Sequence, residues 1–126
     1  MKTQNIIYWA TTGLVAAGMA ASGLLYLSQN PGMVASFTSI GLPMYLMLLL
    51  GVAKLLGAMA LVAPLGSKIK EWAYAGFTFT LLGAVVTHVA TGTPWVAPVI
   101  ALALLGVSYV FWMRRLPGEA NTNKLL

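Results

Sequence analysis

One lysine, Lys54, sits inside the apolar stretch GVAKLLGAMALVAP (51–64), and the nearest charges on either side of it are Lys2 and Lys68. A lysine held at the centre of a bilayer costs about 2.5–3.5 kcal/mol on insertion scales. Such a side chain needs acceptors, water, or loss of its proton. The polar groups within reach of its depth are Thr80, Thr78, Thr12, Tyr45 and the carbonyls freed near Pro43. Together they would orient the polar head of a bound molecule, with Lys54, Thr80, Thr12 and Tyr45 as candidate binding residues. His88 is the only histidine, and the chain has no cysteine and two carboxylates. That set does not build a protein metal site, so none is expected. At most His88 would be one axial ligand to a haem. It is expected to cap a helix end, hydrogen-bond across helices, or line the same cavity as Lys54. Glu71 lies near a helix end and about half a turn away from Thr80, so it suits an interface role, pairing with Lys68 or lipid headgroups. No nucleophile–base pair and no phosphate-cradling glycine loop occurs, so independent catalysis is not expected.

The elements that position these groups follow from composition. Sixty per cent of the 126 residues are hydrophobic and 7% are charged. A soluble domain carries roughly 25% charged residues, so most of this surface must face lipid. A net charge of +5 does not indicate nucleic acid here, because the cations sit at the ends of apolar runs rather than on one amphipathic face. A membrane-crossing helix needs about 20 mainly apolar residues. Four stretches qualify: 6–27, 40–64, 72–91 and 95–113. SQNPG (28–32), PLGSKIK (64–70) and TGTP (91–94) separate them, and a polar tail runs over 114–126. The first run continues through LLYL to full span length, which favours an uncleaved span over a signal peptide.

Six of the seven cations, namely Lys2, Lys68, Lys70, Arg114, Arg115 and Lys124, fall at the N-terminus, in the connection between spans two and three, or at the C-terminus. The excess of Lys and Arg on one side makes that side cytoplasmic. The expected fold is all-α: a single transmembrane domain over 1–126, an integral membrane four-helix bundle with up-down order and both termini cytoplasmic. Its location would be the cytoplasmic membrane, in a bacterium the inner membrane. Lys54 lies thirteen residues before Ser67 and Thr80 thirteen after it. At about 1.5 Å per residue both sit some 15–20 Å above that turn, near mid-membrane.

Small residues let helix backbones approach in lipid. The third span carries Ala73, Gly76, Thr80, Gly83 and Thr87 at helical spacing, and the second carries Gly51, Lys54, Gly57 and Ala58. Gly57 and Gly83 are expected where these two stripes meet. The first span is small-residue-rich nearly all round (GLVAAGMAASG, 13–23), which suits a central position, and the fourth is bulkier.

GLPMYLMLLLGVAKLLGAMALVAP, KEWAYAGFTFTLLGA and HVATG, spread over 41–92, resemble the DoxX-like family of small four-helix membrane proteins. Carried over, Lys54, Glu71, Trp72, Tyr74, Gly76 and His88 occupy that family's characteristic positions. Relatives often carry an acidic residue where this chain has Thr80, so a buried ion pair with Lys54 is not implied. The resemblance implies association with membrane redox systems and quinones for some relatives, and assembly of membrane proteins for others. The expected function is binding of a lipophilic molecule, a quinone or lipid, in an inter-helix pocket as an accessory component. The competing expectation is a subunit or chaperone-like protein that docks a larger membrane protein or a second copy. A small transporter is disfavoured, because cation exporters of this size need a membrane-embedded carboxylate.

Overall fold

A computed structural model describes residues 2–64 and 66–115. Five helices follow in order: α1 (Lys2–Leu27), α2 (Pro31–Ser39), α3 (Met44–Val62), α4 (Ser67–Thr91) and α5 (Val96–Arg115). Among the described residues there is no strand. The four longer helices are long and apolar enough to cross a membrane. Lys124 and the rest of the tail beyond Arg115 lie outside the described residues.

The helices begin and end where local chemistry dictates, and not at the edges of the apolar windows. α1 starts at Lys2, before the apolar run, because a polar turn can close helical hydrogen bonds outside the hydrocarbon. It stops at Leu27, and Gln29 then takes a left-handed conformation at φ 55°. α2 is a helix that the sequence reading did not anticipate. Asn30 caps it, its side chain accepting the Gly32 N–H at 3.0 Å, and Pro31 supplies the first turn. Both are ordinary start signals. α3 begins at Met44, four residues later than expected, because Gly41 at φ 78° breaks the chain and extended Pro43 precedes the helix. Gly92, left-handed at φ 70°, ends α4.

α1 packs on α3 and α5, and α4 packs on the same two helices. The core draws on all four: Tyr8, Val15 and Met19 from α1, Leu61 from α3, Tyr74, Phe77 and Leu81 from α4, Leu105 and Trp112 from α5. α1 and α3 approach closely at two glycines. A Cβ built on Gly23 would lie 2.9 Å from the Gly51 carbonyl oxygen, and one on Gly51 would lie 3.1 Å from that of Gly23.

The two small-residue stripes expected to meet between α3 and α4 border a common groove there but do not close on each other. Gly57 receives the Phe77 ring, whose Cζ would stand 2.6 Å from an added Cβ. Gly76 and Gly83 have open space where a Cβ would go. α4 turns its large residues Tyr74, Phe77 and Leu81 inward, so its small stripe falls on the flank. Hydropathy cannot separate these two faces, since lipid tails are as apolar as a helix neighbour.

Candidate functional site

Lys54 is buried at 8% exposure. Its Nζ donates to Ser22 Oγ at 2.7 Å and lies 4.0 Å from the centre of the Tyr26 ring. Both partners belong to α1, one helical turn apart, on the side that meets α3. Cation–π contact contributes about 0.5–2 kcal/mol, more when desolvated. Neither partner was among the acceptors expected from sequence. The signal was present in SGLLY (22–26), where a hydroxyl and a ring share a face at i, i+4 beside a glycine. The intervening α2 hid the register that brings this turn to Lys54.

The remaining candidates are dispersed. Thr80 and Lys54 line one groove between α3 and α4, of about 300 Å³. The Thr80 hydroxyl donates to the Gly76 carbonyl at 2.8 Å. The groove's walls combine Ala53, Gly57, Ala73 and Gly76 with the larger Leu50, Leu56, Ile69 and Phe77, and Trp72 stands beside them at 82% exposure. From Ile69 to Thr80 it extends about 16 Å along α4. His88 sits apart at the end of α4, where its Nδ1 is 2.6 Å from Thr93 Oγ1. Tyr45 faces outward at 74% exposure.

Thr12 belongs to a different arrangement. Ser108 Oγ lies 2.6 Å from Thr12 Oγ1 and 2.7 Å from the Tyr74 hydroxyl, all three buried where α1, α4 and α5 meet. Tyr74 also stacks on Trp112 at 5.5 Å and meets Tyr109 edge-on at 5.2 Å. The Tyr109 hydroxyl donates to Glu71 Oε1 at 3.3 Å, giving Glu71 a partner on α5 that was not expected. Ser108 was missed altogether, although a serine inside an apolar span must find a partner.

The Lys54 amine thus has one hydrogen bond, to Ser22, and the face of the Tyr26 ring. Lys54→Met keeps most of the stem and removes a costly charge, so thermal unfolding in detergent is expected to be unchanged or shifted upward. A large downward shift would show that the contacts to Ser22 and Tyr26 outweigh the cost of burying the charge.

Among the described residues no group of three or more His, Asp or Glu side chains is placed to hold a metal ion. No curated protein and no solved structure matches the chain. The model of the DoxX-like family matches residues 10–111, from within α1 to within α5. With four helices suited to crossing a membrane and most of its length covered by that match, this chain belongs to the DoxX-like family of membrane proteins.

Proposed function

We propose that this membrane protein holds a lipophilic molecule, a lipid or a quinone, in the groove between α3 and α4, acting as an accessory protein with no catalytic machinery of its own. The observation that carries the reading is the groove itself. Its walls are apolar, with small residues such as Ala53, Ala73 and Gly76 leaving room between Leu50, Leu56, Ile69 and Phe77, and Trp72, Lys54 and Thr80 add an aromatic, an amine-bearing chain and a hydroxyl. Apolar walls with a few placed polar groups are the usual composition of such sites.

Gly76 makes the reading testable. It lines the groove, and a Cβ there would meet nothing within 4 Å. Gly76→Phe is therefore expected to fill the groove while leaving stability within about 0.5 kcal/mol. In proteoliposomes, photoreactive isoprenoid-quinone and fatty-acyl analogues should label the groove saturably in the parent, and labelling should fall about tenfold in Gly76→Phe, the effect of losing about 1.4 kcal/mol of binding. Equal labelling of a well-folded Gly76→Phe would remove the groove as the site.

A second reading, docking of a membrane partner or a second copy, has its own support. Gly13 and Gly18 have open space at their Cβ positions, and Ala10, Ala17 and Ala21 are exposed near them on α1. Small residues of this kind let another helix approach closely. A protein that co-purifies stoichiometrically and is lost on Gly13→Leu would favour this reading over the first.

For topology we place both termini in the cytoplasm, with the four spans running up and down. Arg115 near the end of α5 donates to Asn5 at the start of α1, and Lys70 at the start of α4 donates to the end of α3. These contacts gather the cations Lys70 and Arg115 at one end, and the positive-inside rule makes that end cytoplasmic. The chain has no cysteine, so single cysteines at Ser28 and Asn121 report without background. They should label from opposite sides; labelling from the same side would reject the topology.

A further inference from the structure

A second cavity, of about 360 Å³, lies at the cation-bearing end and shares no lining residue with the α3–α4 groove. Its walls include Tyr8 and Trp9 from α1, Pro64 from the α3–α4 connection, Lys70 from α4, and Trp112 and Arg115 from α5. Among the described residues two cations border it and no carboxylate does. Lys70 is buried at 9% exposure. Its Nζ donates to the Leu61 carbonyl at 2.7 Å and the Ala60 carbonyl at 3.3 Å, both at the end of α3. An ammonium has three donors, so one has no partner among the described residues. Arg115 is held over the Tyr8 ring at 4.6 Å and the Trp9 ring at 5.6 Å, and its Nη1 donates to Asn5 Oδ1 at 2.7 Å. Asn5 takes one of five guanidinium donors.

From this geometry we infer that the cavity binds the phosphate of an anionic phospholipid. Two like charges fixed around one space, with donors left over and no counter-ion among the described residues, form a site whose missing component is an anion. A guanidinium's planar fork matches phosphate oxygens two at a time. The neighbouring walls decide where the anion comes from. Trp9 and Pro64 stand beside the cations, and Trp9 is half exposed. Tryptophan at this position belongs to the headgroup level of a membrane, where lipid chains would cover it. A soluble phosphate would meet the same cations but leave that apolar wall in water. Basic pockets between membrane helices take anionic headgroups for these reasons. The inference does not depend on the α3–α4 groove being occupied.

The test uses the full chain in detergent, with retention of added lipid read by native mass spectrometry. Phosphatidylglycerol should be retained about tenfold more than phosphatidylcholine, and Arg115→Gln should lose that preference, as expected for a charge-assisted phosphate contact. Arg114→Gln is the control. It removes the same charge one residue away, but Arg114 lies over Phe111 and does not line the cavity. It should change retention by less than about twofold, since surface charges contribute little individually. Lys70→Met also removes the contacts that hold the end of α3, so the case rests on Arg115. Equal retention of the two lipids, equal losses in Arg114→Gln and Arg115→Gln, or retention of inorganic phosphate matching that of phosphatidylglycerol would each overturn the inference.

Discussion

Gly23→Leu is expected to destabilise the bundle more than any other single change considered. The new Cβ would stand 2.9 Å from the Gly51 carbonyl oxygen and 3.2 Å from both Leu55 Cγ and Lys54 Cβ. The nearest obstacle is backbone, which cannot rotate away, so α1 and α3 must separate. Overpacking costs typically about 1–3 kcal/mol, and an obstacle of this kind puts Gly23→Leu at or above about 3 kcal/mol. The same separation would pull Ser22 from Lys54 and leave the ammonium without its acceptor. Gly83→Leu is the matched control: nothing lies within 4 Å of its Cβ position, so its effect should stay within about 0.5 kcal/mol. Thermal unfolding in detergent measures both. A Gly23→Leu protein that melts like its parent would show that α1 and α3 do not cross at these glycines.

The second large effect is expected at Ser108. Its hydroxyl is the middle of a three-member chain, so Ser108→Ala removes the partner of both Thr12 and Tyr74. A buried group left without a partner costs about 1–3 kcal/mol, while interhelical hydrogen bonds in membranes average nearer 0.6 kcal/mol. Thr12 has a partial remedy, since a helical threonine can turn to the carbonyl four residues back, as Thr11 does to Ile7 at 2.8 Å. Tyr74 cannot turn to its own helix in this way and would have to shift toward the nearby Thr12 and Tyr8 hydroxyls. Ser108→Ala should therefore cost about 2 kcal/mol. Thr12→Val and Tyr74→Phe each leave one hydrogen bond of the chain intact and should cost less than about 1 kcal/mol. The ranking is the test: if either outer variant is worse than Ser108→Ala, the three hydroxyls do not act as a chain.

The four long helices were legible because each apolar run is bounded by residues that lipid excludes: SQNPG, PLGSKIK, TGTP and RRLPG. The burial of Lys54 was legible too, since it shares a face with the glycines of α3. Its partners were not. Depth can be counted along a chain, but which helix supplies the acceptor depends on register across α2, which no apolar run marks. The same reasoning accounts for α4. Its small stripe and its large stripe are both compatible with lipid, and only the volume of Phe77 filling the space over Gly57 decides which face turns inward. Ser108 carried a signal of its own as a hydroxyl in an apolar span. What it meets is fixed by α1 and α4 together, beyond the reach of pattern along α5. α2 itself was hidden by its length: nine residues cannot span a membrane, and a search for spans passes over the Asn30–Pro31 start.

α2 buries a single side chain, Phe37, which meets the Tyr26 ring edge-on at 5.2 Å. Segments that bury so little open locally at low free energy while the rest of a fold stays closed. The ring that seats Phe37 is also the ring beneath the Lys54 amine. Two otherwise separate equilibria, the lifting of α2 and the release of a charge buried against α1, therefore share one side chain. Linkage is reciprocal: whatever steadies Tyr26 for the lysine also favours the seated state of α2, and an α2 that lifts away leaves the lysine with a looser ring.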